Sequence, residues 1–455
     1  MRKVKGLKLN YAPKWEIADK RVDKLDKKRV ELNRLHSLIE LELMPNPNVC
    51  PSLETIKKRR ALIKSMETSI GRIGSSRLKG FDKLVLEDIM DNVRKARADD
   101  SYFHNNSRNI TLGRLLTSLF GKSAYTRILS MARPENLDHK AIHDYYDIMH
   151  DMWNSALDSS MLLNGESFKD LRKQLFDHVK KYKKSIDELY KSLGILDQPL
   201  DYRIEVEQSD ADFSHCDNCN SLLVLDPDRV PTFRAKKGGN EYTTHTATGL
   251  IIGIHEYAHG LQHAVSEECM PDGLKYDDVN FSRISHGPAC EGVALFAEDI
   301  GISWMRANRE NLEISENDLH LVEVSRKAYV PEKILEAVYG LLVMDYMNSK
   351  APAHWKKEAH KKLAEISGLK VLSRDNNRFG EPDFSDTLLR LSYILGERRI
   401  KKIAGEARKE RGLRNSHGEG LILQALMTGA WTNPRCQRKF VLEYFIPQAR
   451  KDGYL

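Results

Sequence analysis

The sequence predicts a mainly α-helical protein with one small β-sheet, and three features of its 455 residues indicate this fold class. Apolar residues recur every three or four positions along residues 1–195, which is the period of a helix. Between residues 200 and 241 the pattern changes to alternation and short apolar runs, which are typical of strands. From residue 243 onward the helical period returns. We therefore expect a large helical body, with the sheet encoded near the middle of the chain.

Two stretches illustrate the helices of the N-terminal region. In the first, the apolar positions at helical spacing are Val22, Leu25, Leu32, Leu35 and Ile39. A later helix starts at Ser167 and stops at Gly194, because glycine readily adopts the left-handed backbone that closes a helix. Its apolar positions are Phe168, Leu171, Leu175, Val179, Ile186, Leu189 and Leu193. We predict a helical region over residues 1–195 and a second region over residues 196–455, which together form one continuous helical body.

The small sheet is predicted from two segments that lie just before the next helix. Tyr202, Ile204 and Val206 alternate with other residues, as in a strand with one buried face. Residues 221–225 form a short apolar run, and the sequence Asp-Pro-Asp that follows it is a turn signal. Threonines at 243 and 244 are a helix-start signal, so the sheet should stand directly before that helix.

This helix carries two histidines at the spacing of a metal site. The segment from His255 to His259 reads His-Glu-Tyr-Ala-His, and a largely apolar run, 246–254, precedes it. Residues four apart lie on one face of a helix, so both imidazoles can bind one ion. Glu256 then projects beside that ion, where it can accept a proton from a metal-bound water. Burying these polar groups in an apolar helix is costly unless they bind something, which favours a metal site over a surface helix.

A catalytic zinc site needs a third protein ligand and one open position, and the sequence offers two candidates for the ligand. Glu291 lies 32 positions after His259, and Glu298 follows seven residues later. Seven residues are about two helical turns, so both carboxylates share a face. One would bind the metal while the other orients a ligand histidine. Gly292 and Ala294 suit a close approach of helices, and we predict Glu291 as the ligand, with Glu298 as the alternative.

Spacing separates the subclasses of zinc hydrolase that share this histidine pair. Metzincins need a third histidine six residues beyond the second, and that position holds Val265. His263 stands about 12 Å along the helix axis from His255, which is too far for all three histidines to bind one tetrahedral ion. We expect a supporting or surface role for His263. A glutamate from a downstream helix remains as the third ligand.

These segments resemble the signature of a known family. The residues that carry the resemblance run from His255 to Gln262 and from Glu291 to Glu298, and two further segments, 342–359 and 391–396, are similar as well. The family is a broad group of helical, gluzincin-type zinc metallopeptidases described as a domain of unknown function. It is related to carboxypeptidase Taq, thimet oligopeptidase and angiotensin-converting enzyme. The similarity extends over residues 200–450.

The resemblance implies zinc-dependent hydrolysis of peptide bonds by the region 196–455. Zn²⁺ would be held by His255, His259 and Glu291, with Glu256 as the general base. The hydroxyl of Tyr393 matches a family position that donates a hydrogen bond to the tetrahedral intermediate. Such enzymes enclose the site in a deep channel, so the expected substrates are short or unfolded peptides, and the expected activity is that of an oligopeptidase or a carboxypeptidase.

The chain departs from the family's pattern at three points. Many members space the two histidines more widely, and Val293 stands where a tryptophan is usual. These two differences are compatible with metal binding. A histidine common near the C-terminus has no counterpart in register, since Ile422 falls there and His417 lies a few residues earlier. This third difference concerns substrate contacts.

Substrate binding by a carboxypeptidase needs a cation for the terminal carboxylate. Arg398 or Arg399, close to Tyr393, could supply it. The alternative interpretation of these arginines is a solvated basic helix that continues to Arg414. An edge strand of the predicted sheet could also pair with an extended substrate backbone.

Composition limits the partners that we expect. The chain has 72 Lys and Arg against 65 Asp and Glu, and a net charge of +7 over this length gives little support for a nucleic-acid partner. We expect no membrane partner, because no apolar run approaches the roughly 18 residues of a membrane helix. The basic N-terminus has no apolar segment behind it, so we expect a cytoplasmic protein rather than a secreted one.

The six cysteines are scattered and predict no disulfide framework. Cys216 and Cys219 form the one CxxC pair, and with His215 they offer three ligands for a structural zinc. Because no second pair completes a four-ligand site, an ordinary polar turn is the preferred interpretation. Cys290, beside Glu291, is expected to be a buried packing residue.

Two other classes of function stay open at this point. The same chemistry would serve an amide hydrolase that acts on a non-peptide metabolite. A non-catalytic protein could instead use its basic helices to bind RNA or an acidic partner. The intact Glu256 argues against a non-catalytic role, and stoichiometric zinc would separate the two classes.

Overall fold

Helices make up most of the described chain. The computed structural model describes residues 8–43, 51–105, 124–158, 182–198, 203–206, 215–217, 222–225, 234–237, 240–243, 245–271, 274–275, 287–348, 355–369 and 384–455. The N-terminal region contains helices α1 (Lys20–Leu43), α2 (Leu53–Ile73), α3 (Gly80–Asn105), α4 (Ala124–Met131), α5 (His139–Asp158) and α6 (182–192). A short 3₁₀ turn, Ser75–Arg77, connects α2 and α3.

The helices continue after residue 243. They are α7 (His245–Cys269), α8 (Gly287–Ala307), α9 (Glu316–Asn348), α10 (Trp355–Ser367), α11 (Phe384–Arg411) and α12 (Ser416–Met427). The chain then forms α13 (Pro434–Lys439), a π-helical stretch (Phe440–Phe445) and α14 (Ile446–Lys451). Within the described ranges, no helix combines the length and the apolar character needed to cross a bilayer.

The predicted periodicity of the N-terminal helices is confirmed where the chain is described. All five apolar positions of α1 are buried, as are Ile186 and Leu189 of α6 and Leu193 directly after it. Gly194 follows α6 with a φ of 71°, a left-handed backbone that glycine adopts without strain. The beginning of the predicted 167–194 helix lies outside the described residues.

Helix α8 lies where two hydrophobic cores meet. Val293 and Phe296 belong to a core that joins α1, α3, α6, α7, α12 and the C-terminal helices. Leu295 belongs to a second core, formed with residues of α4, α9, α10 and α11. Every residue of α8 from 287 to 298 is buried. This first half of α8 is apolar nearly all round and is covered on every side, so Glu291 and Glu298 face other helices rather than water.

The described segments before α7 include five short strands. In one group, β1 (Arg203–Val206) runs parallel to β3 (Leu222–Leu225), and β2 (His215–Asp217) runs antiparallel to it. In the other, β4 (Arg234–Lys237) pairs antiparallel with β5 (Asn240–Thr243), which leads into α7. The segments that connect β1, β2 and β3 lie outside the described residues.

The predicted fold class is therefore confirmed for its helical part. The single small sheet stays a prediction, because these strands form two separate groups whose connections are not described. The boundary between residues 195 and 196 also stays a prediction. The first core contains residues from both sides of that boundary, such as Leu25, Tyr190 and Leu261.

Candidate metal centre

Three side chains from two helices converge on one point. His255 and His259 of α7 present their Nε2 atoms 3.2 Å apart. The Oε2 atom of Glu291, on α8, lies 3.4 Å from His255 Nε2 and 3.6 Å from His259 Nε2. His255 and Glu291 are buried, and His259 is half-buried. The structure thus brings together the three residues that the sequence analysis selected as metal ligands.

The separations of these three atoms match those of a tetrahedral zinc site. Bonds of about 2.0–2.1 Å to nitrogen and oxygen put neighbouring tetrahedral ligands about 3.3–3.4 Å apart. The observed range is 3.2–3.6 Å. A single ion could therefore bind all three atoms with little movement of the side chains.

The hydrogen bonding of Glu291 is also consistent with a bound cation. Its Oε2 atom is buried and has no hydrogen-bond partner among the described residues. Leaving a buried carboxylate oxygen without a partner is costly, and this one faces both imidazole nitrogens. The residues present therefore fit a metal ion.

The other nitrogen of each histidine faces a partner of its own. Glu298 Oε1 lies 2.7 Å from His255 Nδ1. On α7, Gln262 Oε1 lies 3.4 Å from His259 Nδ1. A side chain that accepts a hydrogen bond from Nδ1–H fixes the tautomer in which Nε2 is free to bind a metal. The position of Glu298 is therefore that of a residue that orients a metal ligand. The position of Glu291 is that of a ligand.

The field of the cluster attracts positive charge. Burial lowers the pKa of His255, but the carboxylates of Glu291 and Glu298 outweigh burial, and the net pKa is well above its ordinary value. The pKa of His259 is raised in the same way, chiefly by Glu291 against burial. For Glu291, burial raises the pKa, but the two histidines outweigh it and the pKa is lowered. A cluster that keeps a buried carboxylate ionised beside two imidazoles suits a bound cation.

Glu256 and Tyr393 lie beside the three ligand candidates. Glu256 is half-buried, and its charge acts on both histidines and on Tyr393. The ring of Tyr393, on α11, lies 6.2 Å from the ring of His255. Burial and the charge of Glu291 raise the pKa of Tyr393 well above its ordinary value, so its hydroxyl keeps its proton. The positions suit a base and a hydrogen-bond donor, and the roles of both residues remain predictions.

A contact between two glycines sets the distance between the helices that carry Glu291 and Tyr393. Gly292 of α8 packs on Gly396 of α11, and a Cβ atom on Gly396 would lie 2.7 Å from the Gly292 nitrogen. Such a distance leaves no space for a side chain. The small residues predicted to allow a close helix approach beside Glu291 therefore include Gly292, and its partner is Gly396.

Several other predicted residues have different surroundings. His263 is buried, so its role is not that of a surface residue, and it lies outside the three-residue cluster. Arg398 is exposed, and Arg399 donates to the Trp431 carbonyl at 3.0 Å. Cys290 is buried, as expected. Of the CxxC pair, Cys219 lies outside the described residues, so a metal site there stays untested.

Arg326 and Tyr329, both on α9, also lie at the centre, and the sequence did not indicate them. Arg326 Nε lies 3.0 Å from Glu298 Oε2. The rings of Tyr329 and Tyr393 meet edge to face at 5.5 Å, and their hydroxyls are hydrogen-bonded. The one signal in the sequence was their spacing of three, which places both on one face of a helix. Nothing local indicated which face of α9 meets the site.

Known proteins resemble this chain only slightly. No protein-family model matches the chain, and no curated protein matches it. Among solved structures, a protein of Colwellia psychrerythraea called a lipoprotein is 12% identical, with a TM-score of 0.41, over 85% of this chain and 66% of that one. A carboxypeptidase of Pyrococcus furiosus is 13% identical, with a TM-score of 0.42, over 97% and 100%.

A third structure, metallocarboxypeptidase 1 of Trypanosoma cruzi, is 14% identical, with a TM-score of 0.36, over 94% of this chain and 99% of that one. The chain spans 66% of the length of the Colwellia protein, and nearly all of the other two. A likeness this slight places the chain in no family. The resemblance to gluzincin-type peptidases therefore stays a prediction.

Proposed function

We propose that this protein is a zinc-dependent peptidase. The observation that carries the proposal is the triangle of His255 Nε2, His259 Nε2 and Glu291 Oε2, with sides of 3.2, 3.4 and 3.6 Å. The buried Oε2 atom has no hydrogen-bond partner among the described residues. A three-ligand site with an open fourth position is typical of catalytic rather than structural zinc.

The roles of the surrounding residues follow from their chemistry. When bound, Zn²⁺ would lower the pKa of a water molecule and polarise the scissile carbonyl. Glu256 would accept the proton of the attacking water and deliver it to the departing amine. Tyr393 would donate a hydrogen bond to the oxygen that becomes negative in the transition state. Its hydroxyl is protonated at neutral pH, and burial, which raises its pKa further, disfavours the phenolate.

The proposed substrates are short or unfolded peptides, cut either internally or at the C-terminus. C-terminal trimming needs a cation near Tyr393 to bind the terminal carboxylate of the substrate. We propose Arg390 for this role in preference to Arg398 or Arg399. Arg390 precedes Tyr393 by one helical turn and pairs with Glu336 at 2.7 Å. Lys333 pairs with the same Glu336 oxygen at 3.0 Å and lies 5.2 Å from the centre of the Tyr329 ring. Two cations therefore meet at the Glu336 carboxylate, on the same side of the site as the two tyrosines.

The small sheet belongs to the same proposal. Strand β5 ends two residues before α7 begins, so it stands next to the metal helix along the chain. We propose that an edge strand of this region pairs with the backbone of an extended substrate. Backbone pairing would give affinity without selecting particular side chains.

Cleavage of a mixed peptide library, read by mass spectrometry, tests the proposed function. Wild-type protein loaded with zinc should cut the library, and Glu256→Gln should retain zinc and lose at least ~10²-fold in rate, because a general base is removed. Glu268→Gln, an exposed position on the same helix, is the control and should cut at the wild-type rate. Fragments shortened only from the C-terminus indicate a carboxypeptidase, and internal cuts indicate an oligopeptidase.

Two results would contradict this proposal. Wild-type turnover in Glu256→Gln would remove Glu256 from the chemistry. A zinc-loaded protein that cuts no peptide but hydrolyses small amides would favour the second candidate, an amide hydrolase acting on a non-peptide metabolite.

A further inference from the structure

Arg326 is a buried guanidinium that joins three helices behind the metal cluster. From α9, its Nε atom lies 3.0 Å from Glu298 Oε2 and 3.0 Å from Asp299 Oδ1, both on α8. Its Nη2 atom donates to Glu397 on α11 at 3.0 Å and to the Leu295 carbonyl at 3.2 Å. The residue is only 8% exposed. A charged group so deeply buried needs all of these partners.

Glu298 uses its two oxygens in opposite directions. Oε1 lies 2.7 Å from His255 Nδ1, and Oε2 lies 3.0 Å from Arg326 Nε. The ion pair at Oε2 and the contact at Oε1 together restrict the rotation of the Glu298 carboxylate relative to the imidazole. The imidazole in turn keeps the orientation in which Nε2 faces Glu291 and His259.

Arg326 is the arginine or lysine that pairs with Glu298 among the residues that the structure describes. Lys401 lies 2.9 Å from Glu397 and 3.5 Å from Asp299, so those two carboxylates have a second cation. The planar fork of a guanidinium can meet Glu298, Asp299 and Glu397 at once, which an ammonium on a flexible stem cannot do. Glu298 therefore depends on the shape of Arg326 as well as on its charge.

We propose that Arg326 is a positioning residue of the metal centre: it holds Glu298, and through Glu298 it fixes His255 for metal binding. The inference rests on the proposed function, since it requires that His255 bind zinc. It adds α9, a helix that contributes none of the proposed ligands, to the elements that set metal affinity.

Four variants test this inference: Arg326→Lys, Glu298→Gln, the double variant, and the control Arg306→Lys. Arg306 also joins α8 to α9, through Glu323, but its side chain is 56% exposed and stands apart from the cluster. Zinc affinity is measured by competition with a chromophoric chelator. The absorption spectrum of the Co²⁺-loaded protein reports the geometry of the ligands independently of activity. Thermal unfolding without metal shows that each variant is folded.

We expect Arg326→Lys to weaken zinc binding by roughly 10–100-fold and to alter the Co²⁺ spectrum, the effect typical of losing a residue that orients a ligand. Arg306→Lys should bind as wild type does. In the Glu298→Gln background the lysine substitution should add no further loss, because Arg326 acts through Glu298. If Arg326→Lys does not fold, Glu397→Gln replaces it. That variant loosens the guanidinium from α11 and should weaken zinc binding only while Glu298 is intact.

Wild-type zinc affinity in Arg326→Lys would overturn the inference, and so would a loss that is equally large in the Glu298→Gln background. The second result would give Arg326 a general structural role. Both outcomes leave the proposed function standing. A wild-type protein that binds no zinc would overturn the proposed function and this inference with it.

Discussion

At the scale of single residues, Glu291 and Glu298 have the same chemistry but different surroundings. Glu291 Oε2 faces two imidazole nitrogens at 3.4 and 3.6 Å and has no hydrogen-bond partner among the described residues. Glu298 lies on the far side of His255, between that imidazole and Arg326. The difference in position predicts a difference in function, because a ligand supplies a metal bond and an orienting group does not.

Alanine substitution of the two glutamates should separate these roles. Glu291→Ala should lose its zinc under mild chelation, since one of three protein ligands is gone. Glu298→Ala should keep zinc with roughly 10–100-fold weaker affinity or activity. Titration of both variants against a zinc-sensitive dye measures the difference. Retention of zinc by Glu291→Ala together with its loss from Glu298→Ala would show that the assignment is reversed.

Tyr393 gives a second prediction at this scale. Tyr393→Phe should lower kcat by roughly 10²–10³-fold, because a donor to the developing negative charge is lost, and zinc affinity should stay unchanged. Tyr444→Phe is the matched control, since that hydroxyl donates to the Gly80 carbonyl on an exposed part of the molecule. Steady-state kinetics with a peptide found in the library measures both. A Tyr393→Phe variant as active as the control would remove the hydroxyl from the reaction.

Residues whose contacts lie within one helix could be predicted from the sequence, and residues whose contacts lie on other helices could not. His255, Glu256 and His259 follow from helix geometry alone, since residues four apart share a face. Gln262 could have been found in the same way, because it follows His259 by three residues. Arg326 could not, because its partners Glu298 and Glu397 belong to other helices, and the latter is 71 positions away.

At the scale of elements, the crossing of α8 and α11 is the feature that places the site. Gly292 and Gly396 meet backbone to backbone, so Glu291 and Tyr393 extend from helices at their closest approach. Every ångström added between these helices would move the ligand candidate away from the tyrosine. Two alanine substitutions on one helix can test whether the crossing is needed.

Gly396→Ala should destabilise the protein by about 1–3 kcal/mol or more and weaken zinc binding, because the new Cβ would overlap the backbone of α8. Gly405→Ala, on the same helix, has nothing within 4 Å of the new Cβ and should be neutral or stabilising by up to about 1 kcal/mol. Thermal unfolding and zinc titration of the pair measure both effects. Equal stability of the two variants would show that the helices can separate without cost.

The elements differed in how far their sequences could predict them. Amphipathic periodicity indicated α1 and the end of α6 because each buries one face, and this pattern is local. Helix α8 is apolar nearly all round, so its sequence could not show which residues enter which core. The strands are three or four residues long, and alternation over so few positions fixes neither pairing nor direction.

At the scale of the whole molecule, the site lies between the two cores, with ligand candidates on α7 and α8 and supporting residues on α9 and α11. Bringing four helices to one point depends on long-range packing, which composition and periodicity do not specify. The sequence could therefore predict a helical body and a metal motif, while the position of α9 behind the cluster needed the structure. Substrate class is also a property of this scale, because it depends on the space around the site rather than on any single residue.

If zinc binds at this site, zinc binding should stabilise the whole folded chain. An ion that binds the folded chain stabilises it by about 2.7 kcal/mol at 100 times its Kd. Removal of zinc should therefore lower the Tm of wild-type protein, and His259→Ala should show a Tm that zinc does not change. Arg306→Lys, far from the cluster, should respond to zinc as wild type does.

Elemental analysis of purified protein tests the central claim most directly. Wild-type protein should carry about one zinc per chain after dialysis, and His259→Ala should carry none, because two remaining protein ligands do not hold the ion. Active wild-type protein without any transition metal, or full zinc content in His259→Ala, would contradict the claim that His255, His259 and Glu291 form a zinc site.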